Sequence, residues 1–253
     1  MNDSAISLAD ARPLVASPLW PRIRAFLWDF ASLCDPERLS AAAGGAGDAA
    51  PRSLDLLDVP RVAASALRAL GVEPIFHSFP ATDASRLLLL SREDYDRLAQ
   101  FLGVVALAPA LRRVTAGADV RALKAALPDY RETLAYAAYF HRFEALFKRF
   151  EPAEQAADPA VENSPLATRH SSLAAAVLAA GHRLLAEALS DLPPELLLRQ
   201  RLRFPAGSPA DQSLGSDDSS LVTRRSSLAG EALAAARLAL KLYNPAESAA
   251  LFP

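Results

Sequence analysis

The sequence predicts a mainly α-helical protein, a single irregular multi-helix domain with flexible loops, and three observations support this prediction. Leucine and alanine dominate the composition, whereas glycine contributes only 10 of the 253 residues. β-Branched residues are sparse, and they lose more rotamer freedom in a helix than straight-chain residues do. Apolar residues make up 51 % of the chain, enough to bury a sizeable core, and they recur at the helical spacings of three and four.

The first predicted helix runs from Pro21 to Cys34 and ends at Asp35-Pro36. Proline suits the first helical position, where its missing N–H is not needed. One face of this helix is apolar and comprises Trp20, Ile23, Leu27, Phe30 and Cys34. Small residues then predict a flexible linker over 41–53.

The second helix is predicted over Val59–Leu70, with Gly71 as its end, because glycine readily adopts the left-handed cap conformation. Residues 72–79 predict a short extended segment. Pro74 and Pro80 argue against a central strand there.

The block from Arg86 to Pro128 predicts three helical pieces in little over forty residues. Ser91 is placed to cap a helix whose apolar face comprises Tyr95, Leu98, Leu102 and Val105. Pro109 opens the next piece, which carries the basic pair Arg112-Arg113, and Gly117 ends it. The third helix ends at Pro128, and its apolar face comprises Val120, Leu123 and Leu127.

Aromatic residues are concentrated in the following helix, which is predicted from Asp129 to Phe150. Seven of the 18 aromatic residues lie between Tyr130 and Phe150. Tyr136, Phe140, Phe143, Phe147 and Phe150 recur at spacings of four and three. Such a stripe is typical of a core-facing surface, and a partner-binding surface is the alternative that the sequence leaves open.

The second half of the chain predicts three more helices and two linkers. Residues 151–169 and 206–220 are rich in proline, serine and acidic side chains, a composition typical of solvated loops. Helices are predicted from Ser171 or Ser172 to Leu189, from Pro194 to Phe204, and from Leu228 to Tyr243.

Charge and apolar run lengths exclude several classes of function. The net charge is −2, so no electrostatic footprint for nucleic acid or for an anionic membrane is present. The longest uncharged run, Leu98–Leu111, is shorter than the ~20 residues that a membrane-spanning helix needs. The N-terminus has no basic segment followed by an apolar core, so no signal peptide is predicted. These features predict a cytoplasmic protein.

No residue pattern predicts a catalytic, cofactor or metal site. Cys34 is the only cysteine, which excludes an intramolecular disulfide and favours a packed thiol. No two histidines have the i, i+4 spacing of zinc hydrolases. His141 and Glu144 lie three residues apart and can share a helix face, but nearby residues suggest no further ligands. We therefore predict no enzymatic activity, no cofactor and no metal.

Three segments, in order, resemble the SctK (YscK-type) sorting-platform proteins of bacterial type III secretion. The first is the Phe-rich segment FLWDFASLCDPERL, which ends in a proline turn. The second, FLGVVALAPALRRVTAGADVRALKAALP, is similar to the family's apolar helix, proline, Leu-Arg-Arg and Arg-x-Leu helix. The third is the Gly181–Leu185 helix followed by DLPPELLLRQRLRFP. Together they cover about a quarter of the chain, and the sequence from Leu221 onward has no family motif.

The resemblance implies an accessory protein without a catalytic site, at the cytoplasmic face of the inner membrane. Such proteins connect the inner-membrane ring protein, through its cytoplasmic domain, to the C-ring protein. The C-ring protein in turn holds the stator and the ATPase. We expect the same partners here, with no nucleic acid and no direct membrane insertion.

The candidate partner-binding residues are Arg112, Arg113, Trp28 and Phe30. An acidic protein partner is the functional interpretation of the arginine pair, and a solvated helix face is the structural one. Two alternatives remain open for the whole chain. One is a ligand-binding module or small enzyme whose pocket is walled by the aromatic stripe, and the other is a type III secretion chaperone, which usually dimerises.

Overall fold

A computed structural model of the protein describes residues 18–44, 60–73, 79–115, 117–150, 166–215 and 225–252. Every regular element within these ranges is a helix, which confirms the prediction of a mainly α fold. The α-helices in chain order are α1 (Trp20–Trp28), α2 (Pro36–Ala43), α3 (Pro60–Ala69), α4 (Asp83–Leu87), α5 (Arg92–Ala106), α6 (Ala108–Arg112), α7 (Gly117–Ala126), α8 (Tyr130–Tyr136), α9 (Glu144–Phe147), α10 (Leu166–Ala188), α11 (Pro194–Leu202), α12 (Pro209–Leu214), α13 (Arg225–Tyr243) and α14 (Pro245–Leu251). Two 3₁₀ segments, Phe30–Ser32 and Ala137–Phe143, complete the described elements.

The centre of the fold is the antiparallel crossing of α5 and α10, the most extensive helix contact in the described structure. Gly103 of α5 and Gly181 of α10 lie at this crossing. A Cβ atom on Gly103 would lie 2.8 Å from the carbonyl carbon of Val177, and one on Gly181 would lie 2.5 Å from that of Ala99. The two glycines therefore let the backbones approach to a distance at which any side chain would collide.

The predicted buried face of α5 is confirmed. The Ser91 hydroxyl accepts a hydrogen bond from the Asp94 backbone N–H at 3.0 Å and caps the helix. The predicted apolar residues of this face are all buried, namely Tyr95, Leu98, Leu102 and Val105. A smaller apolar cluster beside the main core contains the predicted Leu123 of α7 and Leu127 just after it, together with Leu107 and Leu111.

The first helix is shorter than the predicted Pro21–Cys34. α1 ends at Trp28, and the chain turns at Asp29, whose φ is −121°, into a 3₁₀ segment. The predicted apolar face is still buried at Ile23, Leu27 and Phe30, because the 3₁₀ turn keeps Phe30 on the same side of the chain.

Asp35 and Pro36, predicted to end a helix, begin one. The Asp35 carboxylate accepts a hydrogen bond from the Arg38 backbone N–H at 3.3 Å, and Pro36 occupies the first turn of α2. Aspartate followed by proline is a helix start signal, so the sequence prediction was wrong here. α2 continues to residue 43, inside the linker predicted over 41–53, and residues 45–53 lie outside the described residues.

The left-handed end of α3 is confirmed, because Gly71 has a φ of +77°. α3 itself spans Pro60–Ala69, close to the predicted Val59–Leu70. The extended segment predicted over 72–79 falls mostly on residues 74–78, which lie outside the described part of the chain.

The aromatic stripe is core, which answers the question that the sequence left open. Phe140, Phe143 and Phe147 are buried, whereas Tyr139 is 61 % exposed. The single predicted helix over 129–150 is broken into α8, a 3₁₀ segment and α9. The three-residue period of the 3₁₀ segment places Phe140 and Phe143 on the same side, toward the core.

The linker predicted over 206–220 is wrong for residues 209–214, which form α12. Ser208 caps this helix by accepting a hydrogen bond from the Asp211 backbone N–H at 3.2 Å. The Asp211 carboxylate accepts hydrogen bonds from Arg201 Nε at 2.6 Å and from the Gly207 N–H at 2.7 Å, and it forms an ion pair with Arg38. The serine, proline and aspartate that suggested a loop are therefore cap residues. Residues 216–220 lie outside the described ranges.

The two longest helices begin earlier than predicted. α10 begins at Leu166, so the last four residues of the linker predicted over 151–169 are helical, and α13 begins at Arg225 instead of Leu228. The predicted linker residues 151–165 are not among those described. The polar residues before each Ala/Leu-rich stretch form the first helical turns, because helices extend beyond their apolar stripes.

A short final helix follows Tyr243, where the last predicted helix ends. The side-chain oxygen of Asn244 accepts a hydrogen bond from the Glu247 backbone N–H at 3.2 Å and caps α14. α13 and α14 therefore pack against each other across one asparagine.

Two buried arginines, Arg199 on α11 and Arg203 directly after it, tie this helix to elements far away in the sequence. Arg199 Nη1 donates to the Phe26 carbonyl at 2.9 Å and Nη2 to that of Glu73, so Arg199 satisfies a free carbonyl at the end of α1. Arg203 donates to the carbonyls of Leu88 and Leu90 at 2.8 and 2.6 Å, in the turn that ends α4. Burial lowers the pKa of each guanidinium to about 10, and both remain charged at neutral pH.

His182 is a buried imidazole beside these arginines. It is 4 % exposed, stacks on Tyr95 with ring centroids 5.9 Å apart, and has Nε2 3.4 Å from an Asp96 carboxylate oxygen. Nδ1 has no hydrogen-bond partner among the described residues. Burial lowers the pKa of this imidazole to about 4.

We expect His182 to make the fold acid-sensitive. An unfolded imidazole has a pKa of about 6.5, so above that pH both states are neutral and the histidine adds no pH dependence. Between pH 6.5 and 4 the unfolded chain binds a proton that the folded chain does not. The free energy of unfolding should therefore fall by about 2 kcal/mol between pH 7 and 5 through this group alone. Urea denaturation at several pH values measures this slope.

The His182→Gln variant should lose this part of the slope, and the exposed His141→Gln variant should keep it. If His182→Gln and the unmodified protein lose equal stability from pH 7 to 5, His182 is not the source of the acid sensitivity.

Candidate functional site

The basic pair Arg112-Arg113 lies at the C-terminal end of α6, and both side chains are exposed. Leu111, the residue before them, is buried in the smaller apolar cluster. α6 is therefore anchored by Leu111 and presents the two arginines to solvent. Their exposure leaves both arginines accessible to a partner, as the predicted surface role requires.

Arg112 lines a groove between α6 and the chain segment 137–148. We call it the Arg112 groove, and its volume is about 310 Å³. The groove is lined by Val105, Ala106, Ala108, Pro109, Arg112, Ala137, Ala138, Phe140, His141, Glu144, Phe147 and Lys148. The lining is mainly apolar, with charged side chains from both walls. Its volume is at the lower end for pockets that hold small molecules.

The charged residues of the Arg112 groove come from both walls. Glu144 and Lys148 form an exposed i, i+4 ion pair at 2.9 Å, and the hydrogen bond from Lys148 lowers the pKa of the Glu144 carboxyl. The His141 Nδ1 atom lies 3.1 Å from the Ala138 carbonyl oxygen. The lining residues include no hydroxyl or thiol nucleophile. This arrangement suits binding of an apolar group that carries a charge.

The structure joins two sets of residues that the sequence treated separately. His141 and Glu144 were identified as a pair that could share a helix face, and Arg112 as a candidate partner residue. All three line the same groove. No sequence pattern indicates this proximity, because Arg112 and His141 are 29 positions apart. The second wall of the groove is positioned by the break in the predicted aromatic helix.

Phe30 is not available to a partner, so that prediction was wrong. It is fully buried, with the Arg199 guanidinium 5.0 Å above its ring and the Phe26 ring 5.7 Å away. An aromatic ring that supports a buried cation is part of the core. Its helical spacing already placed Phe30 on an apolar face, and its burial shows that this face packs in the core instead of binding a partner.

Trp28 remains a candidate surface residue. Its side chain is 47 % exposed and meets the Trp20 ring edge-on, with centroids 5.5 Å apart. Trp28 lies on α1, which belongs to the main core, whereas the smaller cluster anchors the arginines of α6. The predicted tryptophan and arginines therefore belong to two separate sites.

Cys34 is a structural thiol, as predicted. It is 5 % exposed, and its Sγ lies 3.3 Å from the Leu202 carbonyl oxygen. Burial raises the pKa of the thiol to about 11, so it is not a nucleophile at neutral pH.

The described residues lack two other classes of feature. No helix there combines the length and the apolar character needed to cross a membrane. No group of three or more histidine, cysteine or acidic side chains is arranged there to hold a metal ion. The chain matches no protein-family model, and neither a curated protein nor a solved structure matches it.

Proposed function

We propose that this protein is a non-enzymatic adaptor of a bacterial type III secretion sorting platform. It links the inner-membrane ring, through the cytoplasmic domain of the ring protein, to the C-ring and, through it, to the stator and ATPase. The observation that supports this proposal is that the three segments resembling SctK proteins pack on one another. On this proposal the protein works at the cytoplasmic face of the inner membrane.

The first and third segments are joined by backbone contacts. The Asp35 N–H donates to the Leu202 carbonyl oxygen at 2.8 Å. Arg199, from the third segment, donates to the carbonyls of Phe26 and Leu27 in the first, at 2.9 and 3.5 Å. Through these contacts, residues of two segments that resemble the family pack against each other. Chance matches of common residue types would not need to lie in contact.

The second and third segments meet at the glycine crossing. Gly103 belongs to the second segment and Gly181 to the third, and each lies against the backbone of the helix that carries the other. This packing explains the Gly-x-x-x-Leu pattern. Gly181 allows the close approach of the helices, and Leu185, one turn later, is fully buried in the main core. Close packing of these segments leaves Arg112 and Arg113 as an exposed feature of the second one.

The double variant Arg112→Glu/Arg113→Glu tests the adaptor surface. Both side chains are exposed, so the fold should be kept, while reversed charge should weaken binding to an acidic partner surface about tenfold. Binding is measured with purified C-ring protein and with the ring protein's cytoplasmic domain. Arg61→Glu/Arg68→Glu on α3 is a matched control, because both of these arginines are also exposed.

Two outcomes separate the proposal from its surface assignment. If neither partner binds the unmodified protein at micromolar concentration, the adaptor function is excluded. If a partner binds and the α6 variant behaves like the α3 control, only the assignment to Arg112 and Arg113 is wrong.

A ligand-binding module is the second candidate, favoured by the convergence of Arg112, His141 and Glu144 on an apolar groove of about 310 Å³. Reproducible thermal stabilisation by one class of metabolite, lost in His141→Ala, would support it. The mass of the protein in solution separates both candidates from a dimeric secretion chaperone.

A further inference from the structure

A second groove lies in the C-terminal part of the chain, where the sequence shows no family motif. We call it the basic groove. It is lined by Arg142, Ala234, Arg237, Leu238, Lys241, Pro245, Ser248, Ala249 and Phe252, and its volume is about 500 Å³. The proposed adaptor surface at Arg112 and Arg113 includes none of these residues.

The helical periodicity of the lining explains the shape of the basic groove. The lining residues of α13 are Ala234, Arg237, Leu238 and Lys241, and those at and after α14 are Pro245, Ser248, Ala249 and Phe252. Both sets follow the spacing i, i+3, i+4, i+7, so each is one face of a helix. Two such faces, joined at the capped Asn244, form a trough about two helical turns long.

The charge of the basic groove has one sign. Three of its lining residues are basic and none is acidic. Arg237 is partly committed to the fold, because it forms an ion pair with Asp83 and its guanidinium lies 4.8 Å from the Phe252 ring centre. Arg142 and Lys241 are exposed and have no carboxylate partner among the described residues. The Arg142 guanidinium lies 4.6 Å from the Phe143 ring centre, a contact that leaves its positive charge without a counter-ion, so both charges can pair with a ligand.

The apolar part of the lining lies between these charges. Leu238, Ala249 and Phe252 retain part of their surface in contact with solvent. An occupant must therefore present apolar side chains to the trough and carboxylates to its basic residues. An amphipathic helix with acidic flanks meets both requirements, and helices bind in grooves through the same i, i+3, i+4, i+7 anchors.

We propose that the basic groove binds an acidic amphipathic helix of a partner protein. The apolar stripe of that helix contacts Leu238, Ala249 and Phe252, and its carboxylates pair with Arg142 and Lys241. This inference stands without the type III secretion proposal, because it depends only on the shape and charge of the trough.

The probe is a fluorescent synthetic peptide of about 15 residues, with leucines at helical spacing and glutamates beside them. A control peptide carries lysines in place of the glutamates, and a second control is a scrambled sequence of the first. Fluorescence anisotropy with the full chain should give micromolar binding of the acidic peptide alone. That binding should weaken as salt is raised.

The double variant Arg142→Glu/Lys241→Glu should weaken binding of the acidic peptide about tenfold or more. Arg61→Glu/Arg68→Glu carries the same charge change on α3 and should leave the affinity within about twofold. The neutral variant Arg142→Gln/Lys241→Gln should show a smaller loss than charge reversal. Thermal melting confirms that each variant is folded. If the charge-reversal variant does not fold, the affinity of the Arg142→Gln/Lys241→Gln variant decides the test.

Three results would overturn the proposal. The acidic and scrambled peptides could bind equally, the groove variants could bind as tightly as the α3 control, or the acidic peptide could fail to bind at all. Sedimentation with vesicles of anionic phosphatidylglycerol tests the other possible class of ligand. Vesicle binding that the groove variants abolish, without peptide binding, would assign the basic groove to a membrane surface instead.

Discussion

Replacing Gly181 with alanine should lower the free energy of unfolding by about 3 kcal/mol or more. The new Cβ atom would lie 2.5 Å from the Ala99 carbonyl carbon, well inside van der Waals contact. The obstacle is backbone, so no side-chain rotation can relieve the collision. α5 and α10 must move apart, and the main core on either side must repack. Urea denaturation of the variant measures the loss.

Gly230→Ala is the matched control for this prediction. Gly230 also lies within a long helix, but a Cβ atom there would meet nothing within 4 Å. Alanine is a better helix former than glycine, so this variant should gain up to about 1 kcal/mol. Opposite signs at the two glycines would support the close crossing. A Gly181→Ala variant as stable as the unmodified protein would show that the helices do not meet there.

Replacing Arg203 with methionine should cost about 3–5 kcal/mol, because it leaves three buried acceptors without a donor and each unsatisfied acceptor costs about 1–3 kcal/mol. The guanidinium is 5 % exposed and donates to the carbonyls of Leu88 and Leu90 and to the Gln200 side chain. Methionine fills a similar volume but leaves all three acceptors unsatisfied. Chemical denaturation, read by circular dichroism, measures the change.

Two further variants separate the contribution of the Arg203 hydrogen bonds from that of its positive charge and from the general effect of replacing an arginine with methionine. Arg203→Lys keeps the charge but lacks the two-armed geometry, so it should remain well below the unmodified protein in stability. Arg97→Met removes an arginine that is 62 % exposed and forms an exposed ion pair with Glu93, and it should cost no more than about 0.5 kcal/mol. Equal losses at positions 203 and 97 would contradict the structural role of Arg203.

The sequence predicted features whose cause is local. The predictions of Ser91 as a helix cap and of Gly71 as a left-handed helix end are correct, because capping depends on a few neighbouring residues. Periodicity predicted the buried face of α5, because a core stripe repeats along one helix. Asp35 shows the limit of such reasoning, since the same aspartate-proline pair can follow one helix and begin another.

Features that depend on distant residues could not be predicted. Arg199 and Arg203 stand in a charged stretch that is typical of a solvated helix, and only the carbonyls of α1 and α4 explain their burial. The groove at Arg112 depends on where the aromatic helix breaks. Gly181 was visible as part of a motif, but the sequence did not indicate that it lies against Ala99.

The arginines of α11 have a consequence for how the chain folds as it is synthesised. The hydrogen bonds of Arg199 and Arg203 span 173 and 115 residues, so the carbonyl ends of α1 and α4 are made long before their donors. In the folded protein these carbonyls accept their hydrogen bonds from side chains that are synthesised later. Final assembly therefore waits until α11 has left the ribosome, and a nascent chain halted before residue 199 is an incomplete core with exposed apolar surface, a natural substrate for chaperones.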